Sequence, residues 1–252
     1  MTARSFMGAG DIFINRLVDG VEQGMIGPIK ADKLEIKPNV DTKESTSKGR
    51  YDYGQVLESV NLAQPTEFTM DLKEVTGDIL VMAFLGTSAA LNQASGSMAA
   101  KSVTVTKLGR WVELGFKNLE ALQAVTDTTA VTTYVEGVDY ELNRPLGWIR
   151  ALEDGAIAVN DVIKVTGAYK AATGSIIKGS TRTEVRARIV FDGINQADQN
   201  QCTVDVYEAV LAADSAFDFL ADDFGNVSLK GRLKTPAGKD APYIVVVQDP
   251  VV

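Results

Sequence analysis

The sequence predicts a mainly β protein, a β-sandwich or open half-barrel with one or two short helices. Three observations carry this. First, Phe68, Met70 and Leu72 alternate with Thr69, Asp71 and Lys73, the period of a strand buried on one face. Second, that period returns twice near the end. Val185, Ala187, Ile189 and Phe191 oppose Glu184, Arg186, Arg188 and Val190, and Cys202, Val204 and Val206 oppose Thr203, Asp205 and Tyr207. Third, Asp19-Gly20 supplies the two positive-φ positions of a type I′ hairpin turn.

In chain order, Asp11 to Met25 is predicted as that hairpin, with Ile12 and Ile14 alternating with Phe13 and Asn15. Lys33-Leu34-Glu35-Ile36-Lys37 reads as a short strand. Asn39 to Gly54 is rich in Thr, Ser, Lys, Glu and Asp and reads as a long loop. Structureless loops beyond about 12–15 residues are uncommon and often functional, so both a solvated surface loop and an interaction element stay open. After the strand at Phe68, Thr76 and Asp78 precede a compact apolar block, Ile79 to Leu85, and Gly86 follows it. A capping hydroxyl, an acid in the first turn and a terminal glycine predict a short helix.

Thr87 to Ala100 is small and polar, and reads as a connector. From Lys101 the segments shorten. Val103 and Val105 alternate with Thr104 and Thr106, Trp111 to Phe116 follows a Gly109-Arg110 turn, Tyr134 to Arg150 looks like a strand pair, and Val162 to Tyr169 closes the set. This is a small all-β unit of about 80 residues, near the lower size for a self-sufficient core. The predicted organisation is therefore one domain from residues 1–100 and 181–252, interrupted by an insertion at 101–180. Asp192 to Gln201 reads as a polar turn. Asp214 to Phe224 reads as a helical turn or two with Phe217 and Leu220 inward, and Val227–Leu233 and Tyr243–Val247 as closing strands.

Composition excludes whole function classes. With 252 residues, 45% hydrophobic and 23% charged, the chain can bury a full core. A net charge of -8 argues against wrapping nucleic acid, which relies on surplus Lys and Arg. There is no histidine, so imidazole acid–base steps, imidazole metal ligands and Ser-His-Asp arrangements are impossible. The single Cys202 permits no intrachain disulfide and reads as an inert core residue. Arg4 alone before Asp11, without a long apolar stretch, does not make a secretory signal. The run Ile79–Leu85 falls far below the ~20 residues needed to cross a bilayer. A soluble protein made in the cytoplasm is expected, with no membrane partner.

No catalytic constellation emerges. The phosphate-cradling glycine spacings are missing. Asp192-Gly193-Ile194-Asn195-Gln196-Ala197-Asp198 has calcium-type oxygens without the alternate-residue spacing or terminal glutamate, and reads as a hairpin turn. Asp222-Asp223 and Glu153-Asp154 are adjacent carboxylates that point apart in regular structure. Trp111 and Trp148, each beside Gly and Arg, read as core anchors of the small β unit, with a ligand platform as the other option.

The order β-hairpin, strand, long polar segment, strand, short helix, late strand pair resembles the major tail tube proteins of long-tailed bacteriophages. The residues that carry it are Ile29-Lys30-Ala31-Asp32-Lys33-Leu34-Glu35-Ile36, Phe68-Thr69-Met70-Asp71-Leu72 with Phe84-Leu85-Gly86, Phe191-Asp192-Gly193, and the late Asp-Asp-Phe-Gly-Asn-Val-Ser-Leu-Lys-Gly segment. They span roughly Met7 to Gly86 and Thr181 to Pro250. The resemblance implies a hexameric ring whose sheets join into one continuous barrel, and rings stacked into a tube that conducts the genome. Implied partners are further copies of the chain, the tape measure and tube terminator proteins, and DNA passing without sequence-specific contacts. The implied location is the virion tail, assembled in the host cytoplasm. No cofactor and no enzymatic activity are expected.

On that basis the lumen face is assigned to Glu35, Lys37, Glu67, Asp71, Lys73, Glu184, Arg186, Arg188 and Asp205. With Lys33 added its acids and bases are matched, so it is not acidic by itself. The insertion is placed on the outer surface. Contact between rings is assigned to Asp41, Lys43, Glu44, Lys48, Arg50 and Asp52 of the polar segment. The alternative from another class is a monomeric carbohydrate-binding or adhesin-like β-module using the Trp-bearing unit.

Overall fold

The computed structural model describes residues 5–248. Among the described residues the chain is mainly β with one helix, and it divides into two compact units, one up to Ser88 and from Ile177 onward, the other Ala89–Ile176. The first unit is built on β1 (Gly8–Val18), β2 (Val21–Ile29), β3 (Ala31–Thr46), β4 (Val56–Leu72), β13 (Val185–Asn195), β14 (Asn200–Ala213), β15 (Val227–Leu233) and β16 (Tyr243–Val247). These form a single sheet ordered β2-β1-β13-β14-β15-β4-β3, with β16 beside β14, and it does not close into a barrel. Its pairings are antiparallel.

The inward rows of this curved sheet share one core. Ile12 and Ile14 of β1, Phe68, Met70 and Leu72 of β4, Ile189 of β13, Leu211 of β14 and Leu229 of β15 are all buried in it, together with Ile79 and Met82 of the helix. The outermost strands β2 and β3 are separated by Lys30 alone. The Lys30 carbonyl accepts from the Lys73 N–H at 2.9 Å, beyond the end of β4, while its side chain pairs with Asp11 of β1. Both flanks of the sheet thus meet at one residue.

The β1–β2 turn has the predicted geometry, with φ of 52° at Asp19 and 82° at Gly20. β13 and β14 run further than predicted and leave only residues 196–199 as the turn. Between the pairs Ala187↔Ala209 and Ile189↔Val206, a bulge sets Tyr207 and Glu208 opposite Arg188. Core-facing parity therefore shifts from Cys202 and Val206 to Ala209 and Leu211.

Helix α1 (Gly77–Ala83) starts where Thr76 Oγ1 accepts from the Ile79 N–H at 3.4 Å, with Asp78 in the first turn. At its end Leu85, not glycine, takes the left-handed position (φ 48°). The Gly86 N–H donates to the Val81 carbonyl at 2.8 Å, completing a Schellman closure. Gly86 is required for another reason: a Cβ there would lie 2.6 Å from the Lys178 carbonyl oxygen.

The second helix expected over Asp214 to Phe224 does not form. Asp218 Oδ1 accepts from the Leu220 N–H at 2.8 Å, and Asp223 Oδ1 from the Phe224 N–H at 2.7 Å. Short acidic side chains here capture the amides a helix would need. Phe217 packs against the core as expected, but Leu220 is 91% exposed.

The second unit begins at Ala89 instead of residue 101. The stretch read as a connector is strand: β5 (Thr87–Gln93) pairs with β12 (Ala172–Lys178) in a two-stranded ribbon, and β6 (Gly96–Thr104) follows. One three-stranded sheet is β6-β11-β8, with β8 at Leu119–Thr126 and β11 at Val162–Tyr169. The other is β7-β10-β9, from Trp111–Glu113, Trp148–Ala151 and Tyr140–Asn143. Leu114, Val125, Ile149, Ile163 and Val165 centre a separate core.

Candidate assembly surfaces

The segment from Asn39 to Gly54 is not a loop. β3 continues through it to Thr46 and pairs with the first half of β4 in register from Asn39↔Gln64 to Ser45↔Glu58 and, past an irregularity, at Thr46↔Val56, making a two-stranded arm. The ten residues from Val56 to Pro65 are all exposed, whereas Phe68, Met70 and Leu72 beyond them are buried. The tip is well bonded: the Ser47 N–H donates to the Gln55 carbonyl and the Gly54 N–H to the Ser47 carbonyl, both at 2.8 Å. Tyr51 and Tyr53 stand 92% and 77% exposed on it. Val40, Leu57, Val60 and Leu62 are uncovered along the arm.

The six residues assigned to inter-ring contact divide along this arm. Asp41, Lys43 and Glu44 lie on β3, and Lys48, Arg50 and Asp52 in the turn. Asp41 and Lys43 pair with each other at 3.0 Å. The two tyrosines and the aliphatic stripe were missed, because a segment exposed on both sides shows no burial period.

Seven of the nine residues assigned to the lumen lie in strands, on the sheet face turned away from the core: Glu35, Lys37, Glu67, Asp71, Arg186, Arg188 and Asp205. Lys73 and Glu184 sit just outside β4 and β13. The face is tied together by ion pairs. Arg188 holds Asp205 with two bonds of 3.0 and 2.7 Å, and this partner raises the guanidinium pKa. Lys33 pairs with Glu35 at 2.9 Å, Lys37 with Glu67 at 3.7 Å, and Lys73 with Asp32 at 2.8 Å. Arg186 binds Glu184 at 2.7 Å and reaches Glu208 at 3.3 Å, where Lys234 also arrives at 3.3 Å.

Sequence reasoning missed Glu208, which the β14 bulge brings beside Arg186. It also missed Lys230 and Arg232, which β15 places opposite Thr69 and Glu67. The exposed strand β16 carries Ile244, Val245, Val246 and Val247, and its outer edge is unpaired among the described residues. Cys202 is buried and free, and burial pushes its thiol pKa up.

Trp111 and Trp148 are not core anchors. Ile149 and Ala151 take the inward positions of β10, so Trp148 and Arg150 point outward, and Arg150 pairs in register with Trp111. The Arg150 guanidinium lies 4.8 Å from the Trp111 ring centroid, and its Nη2 is 2.6 Å from Glu141. Trp111 is 38% exposed.

Among the described residues no three His, Cys, Asp or Glu side chains are placed to hold a metal ion. No helix there is long and apolar enough to cross a membrane. No curated protein matches the chain. Residues 5–241 match the family described as "Protein of unknown function UCP028589". With nearly its whole length inside that match, from the β1–β2 hairpin to the approach to β16, the chain belongs to this family.

Proposed function

We propose that this chain is the repeating structural subunit of a bacteriophage tail tube, forming closed rings that stack around a channel for the genome. The observation that carries the reading is the arm. A lone two-stranded hairpin is marginal in water, and this one holds out exposed aliphatic side chains and two tyrosines. Tyrosine is favoured at protein contacts because it presents a large rigid surface with a polar tip. Along its strand portion the arm reaches roughly 25–30 Å, at ~3.3 Å per residue, far enough to meet another subunit.

Two further features support it. The edges at β2, β3 and β16 are free to pair with a neighbour, and ring closure would hide them. On the polar face most acids and bases pair within the subunit, while Lys230 and Arg232 stand among them without an ion pair among the described residues. Such a wall offers no uniform positive stripe to hold phosphate, which suits DNA that must slide. The tape measure and terminator proteins are the further partners this reading implies, the unit Ala89–Ile176 decorates the outside, and the assembled location is the virion tail.

Electron microscopy and sedimentation of the purified chain test the reading. Rings or tubes are expected, with interfaces on the order of 2,000 Å² or more; monomers at every concentration and salt overturn it. The outward Trp111 and Trp148 favour a second reading, a carbohydrate-binding or adhesin-like module, which requires saturable glycan binding by a monomer.

A further inference from the structure

A cavity of about 420 Å³ opens beside the β1–β2 turn, lined by Arg16, Asp19, Arg182, Glu184 and Arg186. Three guanidiniums at one opening need an account. Arg186 is satisfied by Glu184 at 2.7 Å and Glu208 at 3.3 Å. Arg16 stands on the inward row of β1 that begins with Ile12 and Ile14, and donates to the Gly86 carbonyl at 3.1 Å. This bond places a cation at the carbonyl end of α1, a favourable position. Arg182 is fixed by its backbone, whose N–H donates to the Leu85 carbonyl at 2.9 Å.

The side chain of Arg182 is left under-used. Its only acceptor among the described residues is Asp19 at 3.4 Å, an acid whose own side chain is 82% exposed. Its Nε is buried and has no hydrogen-bond partner among the described residues. A guanidinium carries five N–H donors in a planar fork, and Arg16 uses one of its five here. Burial, and then the neighbouring Arg182 charge, lower the Arg16 pKa. Two like charges are therefore held together, and one of their donors, Arg182 Nε, is both buried and without a partner among the described residues. A buried unsatisfied donor is costly and calls for a partner.

We infer that this cavity binds a phosphate group, held between the Arg16 and Arg182 guanidiniums with Arg186 at the rim. A carboxylate has two oxygens and suits one fork, whereas a phosphate offers oxygens to both. The group could arrive as a free ion or within a nucleic-acid backbone, and its chemistry at the arginines is the same.

Calorimetric titration of the 252-residue chain at constant ionic strength decides it, using inorganic phosphate, acetate, and a short oligothymidylate without terminal phosphates. Saturable binding of inorganic phosphate, about tenfold or more tighter than acetate and weakened about tenfold or more by Arg182→Gln, is the expected result. Binding of the oligonucleotide alone, with the same loss in the variant, assigns the phosphate to a nucleic-acid backbone. Absence of binding by both phosphate probes, acetate binding as tightly as phosphate, or equal affinity in wild type and variant overturns the proposal. Arg182→Lys keeps the charge and the backbone bond while deleting Nε. It serves where Arg182→Gln does not fold, with the same loss expected.

Discussion

Pro38 of β3 faces Pro65 and Thr66 of β4 across the irregularity bracketed by the pairs Lys37↔Glu67 and Asn39↔Gln64. Proline cannot donate to a ladder and is tolerated at bulges. A bulge with a proline on each strand therefore marks the level at which the body of the sheet ends and the arm begins. Below it Phe68 and Met70 are buried; above it every residue of β4 is exposed.

Replacing both Tyr51 and Tyr53 by Ala should leave the subunit's unfolding midpoint within the ordinary range of surface changes, about 0.5 kcal/mol. Assembly should be lost, because the tip would no longer present its two anchors. Sedimentation and electron microscopy read the result, and tubes of normal length would show that the tip is not a contact.

Gly20→Val should destabilise by more than ~1 kcal/mol in urea denaturation. The cost is purely conformational: φ is 82°, a region β-branched residues avoid, while a Cβ there would touch nothing. An unchanged midpoint would contradict the turn geometry.

Stability of the unit Ala89–Ile176 should fall in acid through Asp139. N–H groups of Ala156 and Val135 donate to its carboxylate, each at 2.8 Å, and hold its pKa below the usual value. A carboxyl depressed in the folded state contributes fully above its unfolded value, near 3.9. That contribution disappears as pH falls through the lower folded value. Both tryptophans belong to this unit, so tryptophan fluorescence against pH isolates it. Asp139→Asn should flatten the acid limb and lower stability at neutral pH; an identical acid profile would reject the role.

Residues 89–176 expressed alone should melt cooperatively, since their core is separate. Exchanging them for a short Gly/Ser linker in the full chain should leave the larger unit folded. Circular dichroism showing an unfolded remainder would mean that the two units depend on one another.

Where one strand face is buried, the residues reveal the strand. β11 spans Val162–Tyr169 and β15 Val227–Leu233, the predicted bounds, and each buries one face; β16 also keeps its predicted bounds, Tyr243–Val247, although it is exposed. The arm escapes that logic because neither of its faces is covered, and β5 and β6 escape it because Ala, Ser and Thr blur the contrast between faces. The i, i+3 spacing of Phe217 and Leu220 suggests a helical turn, but Asp218 and Asp223 bond amides of their own turn instead. Of the polar face, Glu208 depended on a bulge and Arg232 on a pairing between strands far apart in sequence. The phosphate cavity left one local sign, a charged Arg16 on the parity of Ile12 and Ile14. Its meeting with Arg182 comes only from the fold.

Lys30 gives the sheet a fixed pivot. Because one residue ties the first and last strands of the seven-strand path, these two edges are held together at this end of the sheet. A neighbour that docks along β2 or β3 therefore meets two edges whose separation is set by the covalent chain at one end.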